Sequence, residues 1–229
     1  MRSAALLLLP VLALASPLER RQAPNPEEIQ IIETENSGNG CPQGTVSTII
    51  SEDRTVVTFG FDAFQTYIGP GTAMSDHSKN CQLHFRLQYP GGFQYSVLDA
   101  TYHGYARLDE GVTGNFYSAY FFSESAADTA ITRATISGEE WLAGDIYVKN
   151  DQVENTAIVW SPCGAEGMLN INNRIALTST ESEASGELSN DDATIAFTQQ
   201  LHVAWRTCDG EASGGGDFDL GVINSSIGK

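Results

Sequence analysis

The chain has 229 residues, of which 29 are acidic and only 12 are lysine or arginine, giving a net charge of −17 at neutral pH. Such a field repels nucleic acid and anionic membranes and opposes self-association, which disfavours both as partners and leads to the expectation of a monomer. With 41% apolar residues the chain is long enough to bury one sizeable core.

The N-terminus carries Arg2, an apolar run over residues 4–15 broken by Pro10, and the small-residue site Ala13-Leu14-Ala15. This is the pattern of a secretory signal peptide over residues 1–15, and the run falls short of the roughly 20 residues a spanning helix needs. Residues 16–21 end in Arg20-Arg21, which suits a propeptide cut after a dibasic pair, with a mature start at Gln22. That cleavage removes three arginines and one glutamate, so the mature chain is more acidic still. Residues 217–229 lack the apolar tail of a lipid-anchor signal, so a free extracellular product is expected.

Cys41, Cys81, Cys163 and Cys208 are widely spaced, with no Cys-x-x-Cys, which favours two structural disulfides over a zinc site. Of the three connectivities, Cys41–Cys81 with Cys163–Cys208 is expected, each loop stabilising by roughly 4 kcal/mol in a chain-entropy picture. Asn224-Ser225-Ser226 is a glycosylation sequon. It lies in an acidic, glycine-rich tail over residues 209–229, which leaves residues 22–208 as a single folded domain.

In chain order, a short strand is expected within residues 22–40. Period-two runs follow at 45–50, 55–61, 81–89, 93–108, 115–122, 130–136, 156–160, 167–177 and 194–206. Single helical turns fit near 62–67 and 123–128. The architecture reads as all-β: an antiparallel two-sheet sandwich, jelly-roll-like.

Alternation assigns faces. Leu83, Phe85 and Leu87 oppose His84, Arg86 and Gln88. Leu201, Val203 and Trp205 oppose Gln200, His202 and Arg206, while His103, Tyr105 and Arg107 share a side of the run after Thr101. His84, Arg86, His103, Tyr105, Arg107, His202 and Arg206 are therefore the candidate ligand-binding residues. Phe59, Phe61, Phe64 and Tyr67, with Phe116, Tyr117, Tyr120, Phe121 and Phe122, are expected mainly in the core. Trp160 and Trp205, each three residues before a cysteine, are expected against the disulfide.

Mechanism-bearing patterns are missing: there is no Gly-x-Ser-x-Gly elbow, His-Glu-x-x-His helix, phosphate loop, dinucleotide fingerprint or EF-hand loop. No cofactor and no metal are expected, and His77, in a polar loop, is expected to be solvated. Glu139-Glu140 and Asp191-Asp192 cannot form a glycosidase dyad by themselves, because neighbouring strand residues face opposite ways; both fit turns.

Gly40-Cys41-Pro42-Gln43-Gly44-Thr45, Lys79-Asn80-Cys81-Gln82-Leu83, Tyr89-Pro90-Gly91-Gly92-Phe93, Tyr102-His103-Gly104-Tyr105, Trp160-Ser161-Pro162-Cys163-Gly164 and Trp205-Arg206-Thr207-Cys208 follow one another in this order. From about Ile29 to Cys208 the chain resembles the small secreted, mostly fungal proteins grouped as domain of unknown function 4360. The resemblance implies a secreted β-rich domain with two disulfides and brings no catalytic residues with it; the extension after Cys208 departs from the family's usual ending. Together these features point to an extracellular binding protein acting at a cell wall or a host or substrate surface, with carbohydrate as ligand. The alternatives are a secreted enzyme, carbohydrate-active or a pocket catalyst for a secondary metabolite, and a host-directed effector or antigen.

Overall fold

Alternating apolar and polar side chains give each long strand one face that must be buried, and two sheets satisfy this by packing those faces together. The computed structural model describes residues 23–153, 157–164, 166–189 and 197–208. The signal peptide, the propeptide, Asp191-Asp192, the tail and Asn224 lie outside the described residues.

The strands are β1 (Gln30–Ser37), β2 (Val46–Ile50), β3 (Val56–Phe61), β4 (Thr66–Ile68), β5 (Ser78–Gln88), β6 (Phe93–Leu108), β7 (Val112–Phe122), β8 (Ala130–Ile136), β9 (Asp145–Gln152), β10 (Glu166–Ser179), β11 (Gly186–Ser189) and β12 (Phe197–Thr207). One sheet has the order β1-β5-β10-β7-β8. The other has the order β2-β3-β12-β6-β11-β4, with β9 also paired to β6. All the pairings among the described residues are antiparallel, and the architecture is the expected jelly-roll-like sandwich.

Several expectations are corrected. Residues 62–67 form no helical turn but lead into β4, and of the expected strand at 156–160 the described residues show only an isolated bridge between Trp160 and Ser96. β4, β9 and β11 were not foreseen. Ser123–Ser125 does form a single helical turn, and Glu139-Glu140 begins another at Glu139–Trp141.

Aromatic rings join the sheets across the core: Phe59 of β3 meets Phe85 of β5 at 5.7 Å, and Tyr102 of β6 stacks on Phe116 of β7 at 5.4 Å. Tyr67, by contrast, is exposed. Also buried is a polar network. Asn173 Nδ2 donates to Gln199 Oε1 at 2.6 Å, and Gln199 Nε2 donates to Ser118 Oγ at 3.2 Å and to the Tyr120 hydroxyl at 3.0 Å. Mutual satisfaction is what makes such a group tolerable between two apolar layers.

The structure joins Cys41 to Cys81 and Cys163 to Cys208. Trp205 packs on Tyr89 and Tyr95, at 5.7 and 5.3 Å, and donates from Nε1 to the Arg54 carbonyl. Trp160 carries the Arg206 guanidinium 3.9 Å from its ring centre.

Candidate functional site

The seven candidate residues fall on two opposite outer faces. His84 and Arg86 lie on β5, whereas His103, Tyr105 and Arg107 lie on β6 and His202 and Arg206 on β12. His84 is therefore not brought together with His103 and His202. Among the described residues no group of three or more His, Cys, Asp or Glu could hold a metal ion.

On the five-stranded sheet, His84 Nδ1 meets Asn170 Oδ1 at 2.7 Å, and the buried Asn170 in turn donates to Ser123 Oγ at 2.8 Å. Arg86 pairs with Glu33 at 3.6 Å, an exposed contact of little energetic weight. His77 is not simply solvated: its Nε2 lies 3.0 Å from Thr72 Oγ1.

The seven-stranded sheet is organised by β6. Its buried apolar residues are odd-numbered at Tyr95 and Val97 and even-numbered from Ala100 to Leu108, with Ser96 buried between the first two. A β-bulge accounts for the switch: the register against β12 slips between His202 and Val203, so that Asp99 faces His202 while Val97 faces Val203. From there Asp99, Thr101, His103, Tyr105 and Arg107 alternate with the buried residues and form one outward stripe about 27 Å long at strand rise.

Neighbouring strands orient this stripe. His202 hydrogen-bonds Asp99 through Nδ1. A carboxylate can only accept, so Nδ1 carries the proton and Nε2 is left as the free ring position. Asn150, opposite Thr101 on β9, donates from Nδ2 to Asp99 Oδ1 at 3.2 Å and to Thr101 Oγ1 at 3.0 Å. At the other end Arg107 pairs with Glu187 of β11 at 3.4 Å. There the stripe opens into a groove of about 460 Å³ lined by Tyr67, Thr72, Arg107, Asp109, Leu142 and Glu187, among others. Tyr105 is held beside the same region by the turn at Gly144. That residue has φ +79°, and a side chain there would collide with the Tyr105 hydroxyl.

Arg206 stands apart from the stripe, near the far end of the sheet. Its Nε donates to Gln94 Oε1 at 3.1 Å, and Gln94 Nε2 donates to the Ser161 carbonyl at 2.7 Å. Burial pushes the Arg206 pKa down from its ordinary value. Stacked on Trp160, it is already engaged within the protein.

Asp99, Thr101, Asn150 and Glu187 were not singled out from sequence. The first two share the alternation of His103, Tyr105 and Arg107, and that signal could have found them. Asn150 and Glu187 depend on which strands flank β6, a matter of sheet order alone.

The chain resembles known proteins at two levels. The profile of the domain of unknown function (DUF4360) matches residues 27–208. A relative named as an uncharacterized secreted protein, from Arthroderma benhamiae, is 45% identical over 186 residues, covering 81% of this chain and 74% of its own. Among solved structures, TmCBM61 in complex with β-1,4-galactotriose aligns at 12% identity and TM-score 0.21, covering 80% of this chain and 98% of its own. A family 11 carbohydrate-binding module from Clostridium thermocellum, in complex with a mixed-linked tetrasaccharide, aligns at 9% identity and TM-score 0.23, covering 79% and 94%. At these scores neither likeness carries a ligand or a binding face across to this chain.

Proposed function

The chain belongs to the DUF4360 family of secreted proteins, and from that premise and the geometry of β6 we propose that it is a non-catalytic extracellular binding protein for an uncharged polysaccharide of a cell wall or other surface. The observation that carries this reading is the β6 stripe, where Asp99 and Arg107 are already hydrogen-bonded or ion-paired to partners within the protein. Asp99 faces His202, and Arg107 faces Glu187. An ionic ligand would have to displace one member of each pair. Sugar hydroxyls need only add donors and acceptors to groups already held in place on rigid strands. The His202 Nε2, the Thr101 hydroxyl and the amides flanking them offer both roles, and Tyr67 and Leu142 supply apolar surface for the face of a sugar ring.

The test is incubation of the oxidised, secreted protein with insoluble chitin, β-glucan and cellulose, recording loss of protein from solution and release of soluble sugar together. Depletion without release, weakened roughly tenfold by His202→Ala with Asn150→Ala, is the expected result. Release of sugar would replace the reading with a hydrolase in which the Asp99–His202 pair does acid–base work. Absence of both depletion and release would overturn it.

A further inference from the structure

The outer face of the five-stranded sheet reverses the charge logic of β6. Cross-strand register aligns Asn80 of β5, Arg174 of β10, Tyr117 of β7 and Arg133 of β8 in one outward row. This row, and the rows on either side of it that run from Gln82 to Ile131 and from Ser78 to Thr135, contain no Asp or Glu, in a chain that has 29. The Arg133 guanidinium lies over the Tyr117 ring, 5.4 Å from its centre. Arg174 donates from Nε to Ser78 Oγ at 3.0 Å, which orients the guanidinium and leaves its terminal nitrogens for a ligand. Among the described residues neither arginine is paired with a carboxylate side chain. The Asp151 carboxylate interacts with the Arg133 backbone N–H, and among the described residues it forms no ion pair with the guanidinium. Beside the row runs an open groove of about 360 Å³ with Asn115, Tyr117, Arg174 and Ala176 in its wall.

We propose that this groove is a second binding site, separate from β6, that takes the carboxylate-bearing sugar units of an acidic polysaccharide. Arg174, without a carboxylate partner, and the adjoining stack of Arg133 on Tyr117 match a carboxylate set on a flat, partly apolar sugar ring: the Arg174 fork takes the carboxylate from the groove wall, and the flat cationic Arg133–Tyr117 stack adjoins the sugar ring and adds charge. The surrounding amides and hydroxyls, which both donate and accept, suit the remaining sugar hydroxyls. An acidic peptide is a poorer match, since the row lies in the middle of a sheet face and offers neither a free backbone edge nor a deep apolar pocket. The net charge of the molecule opposes long polyanions, but at physiological salt that field decays over about 8 Å. Contact with a short oligomer is therefore governed by the arginine pair.

The decisive experiment is calorimetric titration of the full secreted chain with an oligogalacturonate, with its fully methyl-esterified form, and with oligoglutamate of similar charge. Arg133→Gln/Arg174→Gln is titrated in parallel, together with Arg133→Lys/Arg174→Lys, which keeps the charge and loses the planar fork. Thermal melts verify that these exposed changes leave the fold intact. The native protein should bind the acid and not the ester, losing roughly tenfold or more in the glutamine variant and less in the lysine variant. Depletion onto uncharged glucans should be unchanged in both variants, so a failure on β6 and a failure here are distinguishable. Equal binding of acid and ester, equal or tighter binding of oligoglutamate, unchanged affinity in the glutamine variant, or no binding at all would overturn the assignment.

Discussion

The side chain whose loss should cost most for its size is Gln199. It is fully buried, and its amide links Asn173 of one sheet layer to Ser118 and Tyr120. Gln199→Leu keeps the volume but leaves the Asn173 amide without its acceptor and takes one donor from Ser118 and Tyr120. The expected loss is about 2–4 kcal/mol, read as a lower urea midpoint at unchanged slope. Thr198→Ala, one residue away on the outer face, should stay within about 0.5 kcal/mol. A second residue-scale expectation concerns Asp151, whose pKa is raised by burial, with one oxygen lacking a hydrogen-bond partner among the described residues. A carboxyl with a raised folded pKa binds its proton more tightly in the native state. The stability it contributes is therefore full below the unfolded value and lost as pH rises through the folded one. Asp151→Asn should match the native protein closely at acid pH and become the more stable of the two as pH rises above the ordinary carboxylate value of 3.8. A gap independent of pH would contradict this.

Among the elements, legibility follows how much of a strand is buried. β6 and β8 have the bounds that their alternation predicts, because each presents a buried row to the other sheet, regular throughout β8 and from Ala100 onward in β6. β9 was missed because among the described residues it pairs only with β6, and only Tyr147 of its eight residues is buried, so no alternation is enforced. β4 and β11 are too short to show a period. The site was legible to the same degree. His103, Tyr105 and Arg107 follow from the alternation of one strand, whereas the partnership of Asp99 with His202 needs both the neighbouring strand and the bulge. His84 was grouped with them because its strand has the same pattern, and pattern cannot tell which sheet a strand joins. The segment around Trp160 is held differently, by the Cys163–Cys208 bond and by hydrogen bonds from Tyr89 to Ser161 and Pro162. Replacing both cysteines by serine should cost about 2–5 kcal/mol in thermal or denaturant unfolding. It should also loosen Arg206 from Trp160, visible as a change in tryptophan fluorescence under native conditions.

At the scale of the whole molecule, two outer faces share one interior, so each face can change without disturbing the other, and the interior alone sets the limits of stability. Five tyrosines, Tyr89, Tyr95, Tyr102, Tyr120 and Tyr147, have pKa values raised above 10.0 chiefly by burial. The native state keeps these hydroxyls protonated at pH values where the unfolded chain has lost the proton. The stability they contribute is accordingly present below the ordinary tyrosine value and is lost as pH rises through the folded values. Alkaline unfolding should therefore be steep, with tyrosinate absorbance from these five and loss of the β-sheet circular dichroism rising together. Two variants separate the causes. Tyr147 has a buried hydroxyl with no hydrogen-bond partner among the described residues, so Tyr147→Phe removes both an orphaned oxygen and an ionisable group and should move the transition to higher pH. Tyr120→Phe also removes an ionisable group but takes an acceptor from Gln199, and should destabilise the protein at neutral pH. Tyrosinate signals from these five appearing well before the sheet is lost would mean that the interior admits hydroxide without unfolding, and that the two faces are not backed by one sealed core.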